Sequence, residues 1–304
     1  MARLVFLGTP EAAVAPLSTL VEEGHDVVLV VTRPDKRRGR GSALVPSPVK
    51  AAAVDLGLAV TDSLDEALAV GAELGVVVAY GRIIPVSVLG RLPMVNLHFS
   101  LLPRWRGAAP VERAILEGDA ETGVCLMAVE AGLDTGGIYA EDATVIGDEE
   151  TADELRTRLV AIGCNLLAEH LGHGVAGLPV PRDQSGTPSY AEKILPGELE
   201  LRWEESAVRV RRVIRLGRAW TTFRGHRLGV VRAAAVSAAT GAGNDPVGSG
   251  GPGGGPGDLA GDTVHTGDGG RIRLLVVQPE GKRPMDAGAW LRGIRPGPGE
   301  RLGG

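Results

Sequence analysis

Two cysteines in 304 residues are too few, and too far apart, to build a zinc ribbon or a Cys-x-x-Cys redox pair. Cys125 and Cys164 each fall inside an apolar segment and read as buried thiols. Long hydrophobic runs are missing as well: no stretch reaches the roughly 18 to 20 apolar residues that a bilayer-spanning helix needs. Leu4-Val5-Phe6-Leu7 is followed at once by Gly8-Thr9-Pro10, which is not the pattern of a secretory h-region and its cleavage site. A cytoplasmic protein without membrane attachment is therefore expected. Positive charge is not in excess either, since 32 Lys and Arg stand against 37 Asp and Glu for a formal net charge of -5. Any nucleic-acid surface must then be a local patch. Gly8-Thr9-Pro10, at the end of the first apolar run, lacks the three-glycine dinucleotide fingerprint and so does not indicate a nicotinamide cofactor.

What is present is a chain long enough for two domains, with 44% hydrophobic residues to fill their cores. The first half alternates apolar runs with amphipathic stretches. Strands are expected at Arg3–Leu7, Asp26–Thr32, Leu74–Ala79 and Met94–His98, and helices at Glu11–Glu22, Pro48–Asp55 and Leu64–Val70. This is the pattern of an α/β doubly wound, Rossmann-like parallel sheet, in which ligands gather at the carboxyl ends of strands. Paired strands follow at Gly123–Glu130 and Ile138–Ile146. Thr151 and Glu154 then form a capping box for a helix reaching about Leu171.

The expected boundaries are a first domain over 1–188, a linker over 189–205 and a second domain over 206–304. Several short strands after Ala219 suggest a small β-barrel. Residues 237–261, dominated by Gly, Ala and Pro, are expected to be a flexible loop between its strands.

Asn96 and His98 close the Met94–His98 run and, two residues apart, share a strand face. An Asn amide can donate to a developing oxyanion, and an imidazole can act as acid or base. Asp134, from a separate segment, could fix the imidazole tautomer, favour its charged form or hold a water that takes a proton. A single Asn or His at a strand end is more often a turn former or a hydrogen-bonded structural residue.

Their surroundings decide between these readings. Asn96-Leu97-His98-Phe99-Ser100-Leu101-Leu102-Pro103, its continuation Arg104-Trp105-Arg106-Gly107-Ala108-Ala109-Pro110, and Gly132-Leu133-Asp134-Thr135-Gly136-Gly137 resemble the folate-dependent formyltransferases. Further segments resemble the branch of that family acting on initiator tRNA: Gly8-Thr9-Pro10-Glu11, Arg33 to Gly41, Val45 to Lys50, Val78 to Pro85 and Tyr190 to Ile194. The resemblance implies a formyltransferase domain followed by an OB-like barrel. It implies catalytic roles for Asn96, His98 and Asp134, with N10-formyltetrahydrofolate as co-substrate, no metal, and initiator methionyl-tRNA as partner; a monomer is expected. It places the folate against Val78, Ala79, Tyr80, Gly81, Arg82 and Ile83, against Ser100, Leu101, Leu102 and Pro103, and beside Leu133.

Two basic features supply candidate tRNA contacts. No acidic residue occurs from Ser206 to Asn244, a stretch carrying eight arginines, among which Arg209, Arg212 and Arg215 are expected to track phosphates. The long loop with Lys36, Arg37, Arg38 and Arg40 reads as a clamp, and in the family the corresponding loop enters the acceptor stem. Lys50, just beyond it, adds charge. The chain departs from the family pattern between Ile214 and Trp220, where no proline occurs and the first barrel strand is expected to be offset. Two other readings stay open: formyl transfer to a nucleotide, nucleotide sugar or water, and a nucleic-acid-binding module on an inactive α/β scaffold.

Overall fold

The computed structural model describes residues 1–37, 44–236 and 254–304, and the chain divides into two compact units. The first comprises Met1–Ala114, Ala120–Ile146 and Glu154–Lys193, and the second Ile115–Asp119, Gly147–Asp153 and Ile194–Gly304. Among the described residues no helix is long and apolar enough to cross a membrane.

The first unit is built on a seven-stranded sheet. Strands β1 (Arg3–Gly8), β2 (Asp26–Val31), β3 (Val60–Thr61), β4 (Leu74–Val78), β5 (Met94–His98), β6 (Glu121–Ala128) and β7 (Ile138–Val145) lie in the order β7-β6-β5-β4-β1-β2-β3. The five strands from β1 to β5 pair in parallel, while β6 runs antiparallel to β5 and β7 antiparallel to β6. Every residue of β4 is buried, as are all of β1 after Arg3. Such strands are covered on both faces and so read as continuous apolar runs. The edge strand β7 is largely exposed and carries Glu141 and Asp142, charges that discourage pairing with another chain.

Helices α1 (Val14–Glu22), α2 (Pro48–Asp55), α3 (Leu64–Ala67), α4 (Val86–Leu89), α5 (Pro110–Glu117) and α6 (Ala152–Leu171) join these strands or follow them. The start of α2 is fixed by Ser47, whose Oγ accepts from Lys50 N, and by Pro48 in the first turn, where its missing N–H costs nothing. The helix expected from Glu11 begins with a 3-10 turn, Glu11–Ala13. That expected to reach Val70 stops at Ala67, because Leu68 and Ala69 bond three residues back, to Asp65 and Glu66, and tighten the last turn.

Strand order reverses at β1, between neighbours β4 and β2, and opens a crevice at the carboxyl ends. Gly8 closes β1 there. A Cβ on it would lie 2.7 Å from Phe6 Cε1, 2.9 Å from Ala13 Cβ and 3.1 Å from the Val78 carbonyl oxygen, so only glycine fits.

The second unit carries β8 (Trp220–Phe223), β9 (His226–Ala235), β10 (Leu259–Ala260), β11 (Thr263–His265), β12 (Arg271–Pro279) and β13 (Met285–Asp286). They form an antiparallel sheet in the order β8-β9-β12-β11-β10, with β13 added on β12. The chain's last residues bridge its two ends. Leu259 N donates to Glu300 O, Leu302 N to Gly257 O, and Gly303 N to Thr222 O, at 2.8 to 2.9 Å. These bonds satisfy main-chain groups along both edge strands and roll the sheet into a small barrel. Its first strand begins at Trp220, one residue past the expected Ala219. In the expected 237–261 loop, 237–253 lie outside the described residues.

The barrel core holds Trp203, 2% exposed, whose Nε1 donates to Thr221 Oγ1 at 3.0 Å. The Phe223 and Trp290 rings meet edge to face at 5.2 Å, a geometry favoured by the ring quadrupoles. Trp290 comes from α8 (Ala287–Ile294), capped by Asp286 through Ala289 N. Helix α7 (Ala207–Ile214) is capped by Ser206.

Removing residues 300–304 deletes the closing bonds and the buried Leu302, which should cost about 3 kcal/mol. The calorimetric midpoint of the second unit should fall by several degrees, and an unchanged midpoint would show that the tail does not close the barrel.

Candidate active site

Asn96 and His98 end β5, flanked by β4, where Val77 is opposite Asn96, and by β6, where Cys125 is opposite His98. His98 is 4% exposed and Asn96 half-buried. The His98 Nε2 lies 2.8 Å from the Trp105 carbonyl oxygen. A carbonyl only accepts, so Nε2 carries the hydrogen and the tautomer follows from the contact. The other nitrogen, Nδ1, faces Asp134 Oδ2 at 3.6 Å, beyond hydrogen-bond range but close enough for charge attraction when the ring carries a second proton. Asp134 Oδ2 in turn accepts from Gly107 N at 2.7 Å. One short loop therefore orients both the imidazole and the carboxylate.

Backbone strain concentrates at the same place. Of the five non-glycine residues with positive φ among those described, Ala79 (46°), Trp105 (62°) and Asp134 (49°) lie beside these strand ends. L-residues enter this region at a cost, which packing and hydrogen bonds must offset.

The restraint comes from a segment read in the sequence as a tail of the first domain running into a linker. Trp105 N donates to Ser189 Oγ at 3.0 Å, Arg106 N to Ser189 O, and Ala108 N to Ala191 O. Arg106–Gly107 forms a short parallel ladder with Tyr190–Ala191. At Gly107, with φ of 121°, a Cβ would meet Ala191 O at 2.9 Å. Gln184 reaches the Asp134 loop from the same segment, donating to Asp134 O and Gly136 O at 2.8 Å. Neither Gln184 nor Ser189 was singled out in the sequence. An isolated polar residue in a Gly- and Pro-rich stretch carries no periodic signal.

The expected folate residues divide into two groups. Ala79, Gly81, Arg82, Ile83 and Leu133 are exposed, Ile83 at 87% and Leu133 at 58%. Leu101 and Pro103 are half-buried. The side chains of Val78, Tyr80, Ser100 and Leu102 are engaged within the protein. Val78 is fully buried in β4 and Tyr80, 2% exposed, packs with Val5, Leu7, Val31 and Ile84. Ser100 donates to Arg104 O at 2.6 Å. Leu102 packs with Cys125, Met127 and Ile138, and its N–H donates to Cys125 Sγ at 3.4 Å. Apolar burial and local bonds claim these side chains, leaving main-chain groups for a ligand. Burial, with a smaller contribution from Glu141, pushes the Cys125 thiol up to about 12 against the opposing Leu102 bond.

Among the expected tRNA residues, Lys36 and Arg37 are exposed in a ladder with Leu44–Val45. Arg38 and Arg40 lie outside the described residues. Lys50 is held by Asp35 at 2.8 Å.

Arg209, Arg212 and Arg215, the expected phosphate trackers, each donate to main-chain carbonyls in this structure. Arg209 Nη1 donates to Leu116 O at 2.8 Å and Arg212 Nη1 to Glu117 O at 3.1 Å. Arg215 donates to Glu150 O at 2.7 Å and Gly147 O at 2.8 Å. The last carbonyls of a helix have no partner within it and carry partial negative charge, and two of these guanidinium groups supply the missing donors for α5. Burial and then Arg211 hold Arg215 below the ordinary guanidinium value, with Glu149, Glu150 and Asp148 opposing. Gly118 makes room, since a Cβ there would collide with Arg212 Nη2. In the same run Arg218, Arg227 and Arg232 stay exposed, with Arg227 stacked 4.4 Å over Trp220.

Comparison with known proteins matches residues 2–171 to the formyl transferase family and residues 193–295 to its C-terminal domain. The chain is 43% identical to a methionyl-tRNA formyltransferase of Acidothermus cellulolyticus, covering 99% of each sequence. It is 40% identical to that of Dinoroseobacter shibae, over 96% of this chain and 97% of the other. Among solved structures, an N-formyltransferase from Helicobacter canadensis, in complex with folinic acid and dTDP-3-aminofucose, superposes with a TM-score of 0.68 at 19% identity. It covers 92% of this chain and all of that one. The methionyl-tRNA formyltransferase of Clostridium thermocellum gives 0.60 at 18% identity, over 79% of this chain and 96% of the other. These two structures share the fold.

Arg212→Ala should destabilise the protein by about 1 to 2 kcal/mol in urea unfolding while leaving tRNA affinity nearly unchanged. The opposite pattern would place Arg212 on the tRNA surface. Because the buried Cys125 becomes a thiolate only near pH 12, a thiol reagent at pH 8 should label it only after unfolding. Peptide mapping by mass spectrometry reads the outcome.

Proposed function

The chain belongs to the formyl transferase family, and from that premise we propose that it transfers the formyl group of N10-formyltetrahydrofolate to the α-amino group of initiator methionyl-tRNA. The product is N-formylmethionyl-tRNA, the charged tRNA that starts translation. The observation that carries this reading is the His98–Asp134 pair, 3.6 Å apart, at the strand end that also bears Asn96, in a chain aligned almost end to end with methionyl-tRNA formyltransferases.

The formyl donor is consumed in the reaction and is a substrate. Exposed Ile83 and Leu133 offer apolar contact to its rings, and main-chain groups of Val78 to Gly81 suit the polar edge of a heterocycle. In the transfer, the amine nitrogen bonds to the formyl carbon, the bond from that carbon to folate N10 breaks, and the proton lost by the amine ends on N10. The Asn96 amide donates to the formyl oxygen as it becomes negative. Loss of one such donor costs about 3 kcal/mol, on the order of a hundredfold in rate.

With Nε2 held by Trp105 O, His98 acts through its Nδ1 side. That side faces the carboxylate, so Asp134 supports the ring when it carries a second proton and relays the amine proton directly or through water. Lys36 and Arg37, leading into Arg38 and Arg40, engage the tRNA backbone, and Arg218, Arg227 and Arg232 extend the contact. Action as a cytoplasmic monomer belongs to the same reading, since charged initiator tRNA is a cytoplasmic substrate and one chain carries both units.

Purified protein given formylfolate and charged initiator tRNA should yield formylmethionyl-tRNA, while a nucleotide sugar in its place should not be formylated. Asn96→Ala and Asp134→Ala should lower turnover at least a hundredfold without weakening tRNA binding. Transfer to the sugar alone would overturn the assignment.

A further inference from the structure

We infer that Gln184 is a positioning residue for the transfer, holding the main chain on which Asp134 stands; this inference rests on the proposed function. Its Nε2 donates to Asp134 O and Gly136 O, both at 2.8 Å. Its Oε1 accepts from Arg106 Nε at 3.1 Å and Nη2 at 2.6 Å. Both amide hydrogens and both carbonyl lone pairs of one side chain are thus used, and one half-buried residue ties two loops together.

Those loops already meet at the carboxylate. Gly107 directly follows Arg106, and its N–H donates to Asp134 Oδ2 at 2.7 Å. The contacts close a ring, running from the Asp134 main chain through Gln184 and Arg106 to Gly107 N and back to the Asp134 side chain. Asp134 needs such support. Its φ is 49°, a region that costs an L-residue energy, and its loop contains Gly132, Gly136 and Gly137, which add conformational freedom. Without the clamp the carboxylate samples positions away from His98 Nδ1, and a displacement of about 1 Å costs on the order of a hundredfold in a site of this kind.

The anchoring of Gln184 comes from its own segment. Arg182 forms a two-way main-chain bridge with Ile138 and an ion pair with Glu141, and Ser189 to Ala191 pin the Trp105–Gly107 loop. Gln184 therefore stands between two fixed points.

The test measures kcat and both KM values for the full chain and for Gln184→Ala, Gln184→Glu, Asp134→Asn and Gln184→Ala combined with Asp134→Asn. It also follows hydrogen exchange of the peptide covering 130–137. Gln184→Ala should lower kcat about 10- to 100-fold with little change in either KM. Gln184→Glu keeps the acceptor for Arg106 but loses the donors to the Asp134 loop, and should fall as far. On the Asp134→Asn background the alanine should add nothing, because the two act as one unit. Exchange should quicken in 130–137 and stay unchanged in β1 and β4. Unaltered kcat in Gln184→Ala, additive losses in the double variant, or unaltered exchange would each overturn the inference. A wild-type chain that formylates no tRNA would instead defeat the proposed function, and exchange would still decide whether Gln184 holds the loop.

Discussion

The Trp105 carbonyl and the Gly107 amide, two residues apart, hold His98 and Asp134 respectively. An imidazole on a strand and a carboxylate on a glycine-rich loop have no covalent reason to face each other. A loop that offers an acceptor to one and a donor to the other gives them a common frame. That loop is itself irregular, with φ of 62° at Trp105 and 121° at Gly107, and Ser189, Tyr190 and Ala191 brace it. The reactive pair thus depends on a stretch that follows α6 and lies about fifty residues beyond Asp134.

Arginine plays an equivalent part in the second unit. Helix α7 lies in a stretch from Ser206 to Asn244 that carries arginines and no acidic residue, and on sequence grounds that charge suits a polyanion. In the fold, Arg209 and Arg212 reach the last carbonyls of α5 and Arg215 reaches the 147–150 turn. Guanidinium groups have several donors on a long stem, so they can satisfy main-chain acceptors distant in sequence. The 115–119 and 147–153 segments belong to the same compact unit as the C-terminal residues. The same economy closes the barrel, where a tail with little secondary structure bonds to both edges.

Much of the first unit was legible in the residues. Continuous apolar runs gave β1, β4 and β5 nearly to the residue, and the Ser47-Pro48 start of α2 was a local signal. Asn96 and His98 were legible because they terminate such a run in a recognisable setting. The motif did not show which way Tyr80 and Ser100 point: burial turned Tyr80 into the core and a local bond claimed Ser100. Gln184 was invisible because its four hydrogen bonds go to residues 48 to 78 positions away.

By itself the sequence determined the parallel α/β sheet, the β-rich second unit, the three candidate catalytic side chains and the family, all of which follow from local periodicity and contiguous motifs. Only the tertiary structure decided which nitrogen of His98 carries its hydrogen, what holds Asp134, and which arginines remain exposed to solvent. Those outcomes depend on long-range hydrogen bonds between main-chain and side-chain groups, whose partners are chosen when the chain folds and leave no periodic trace in the order of its residues.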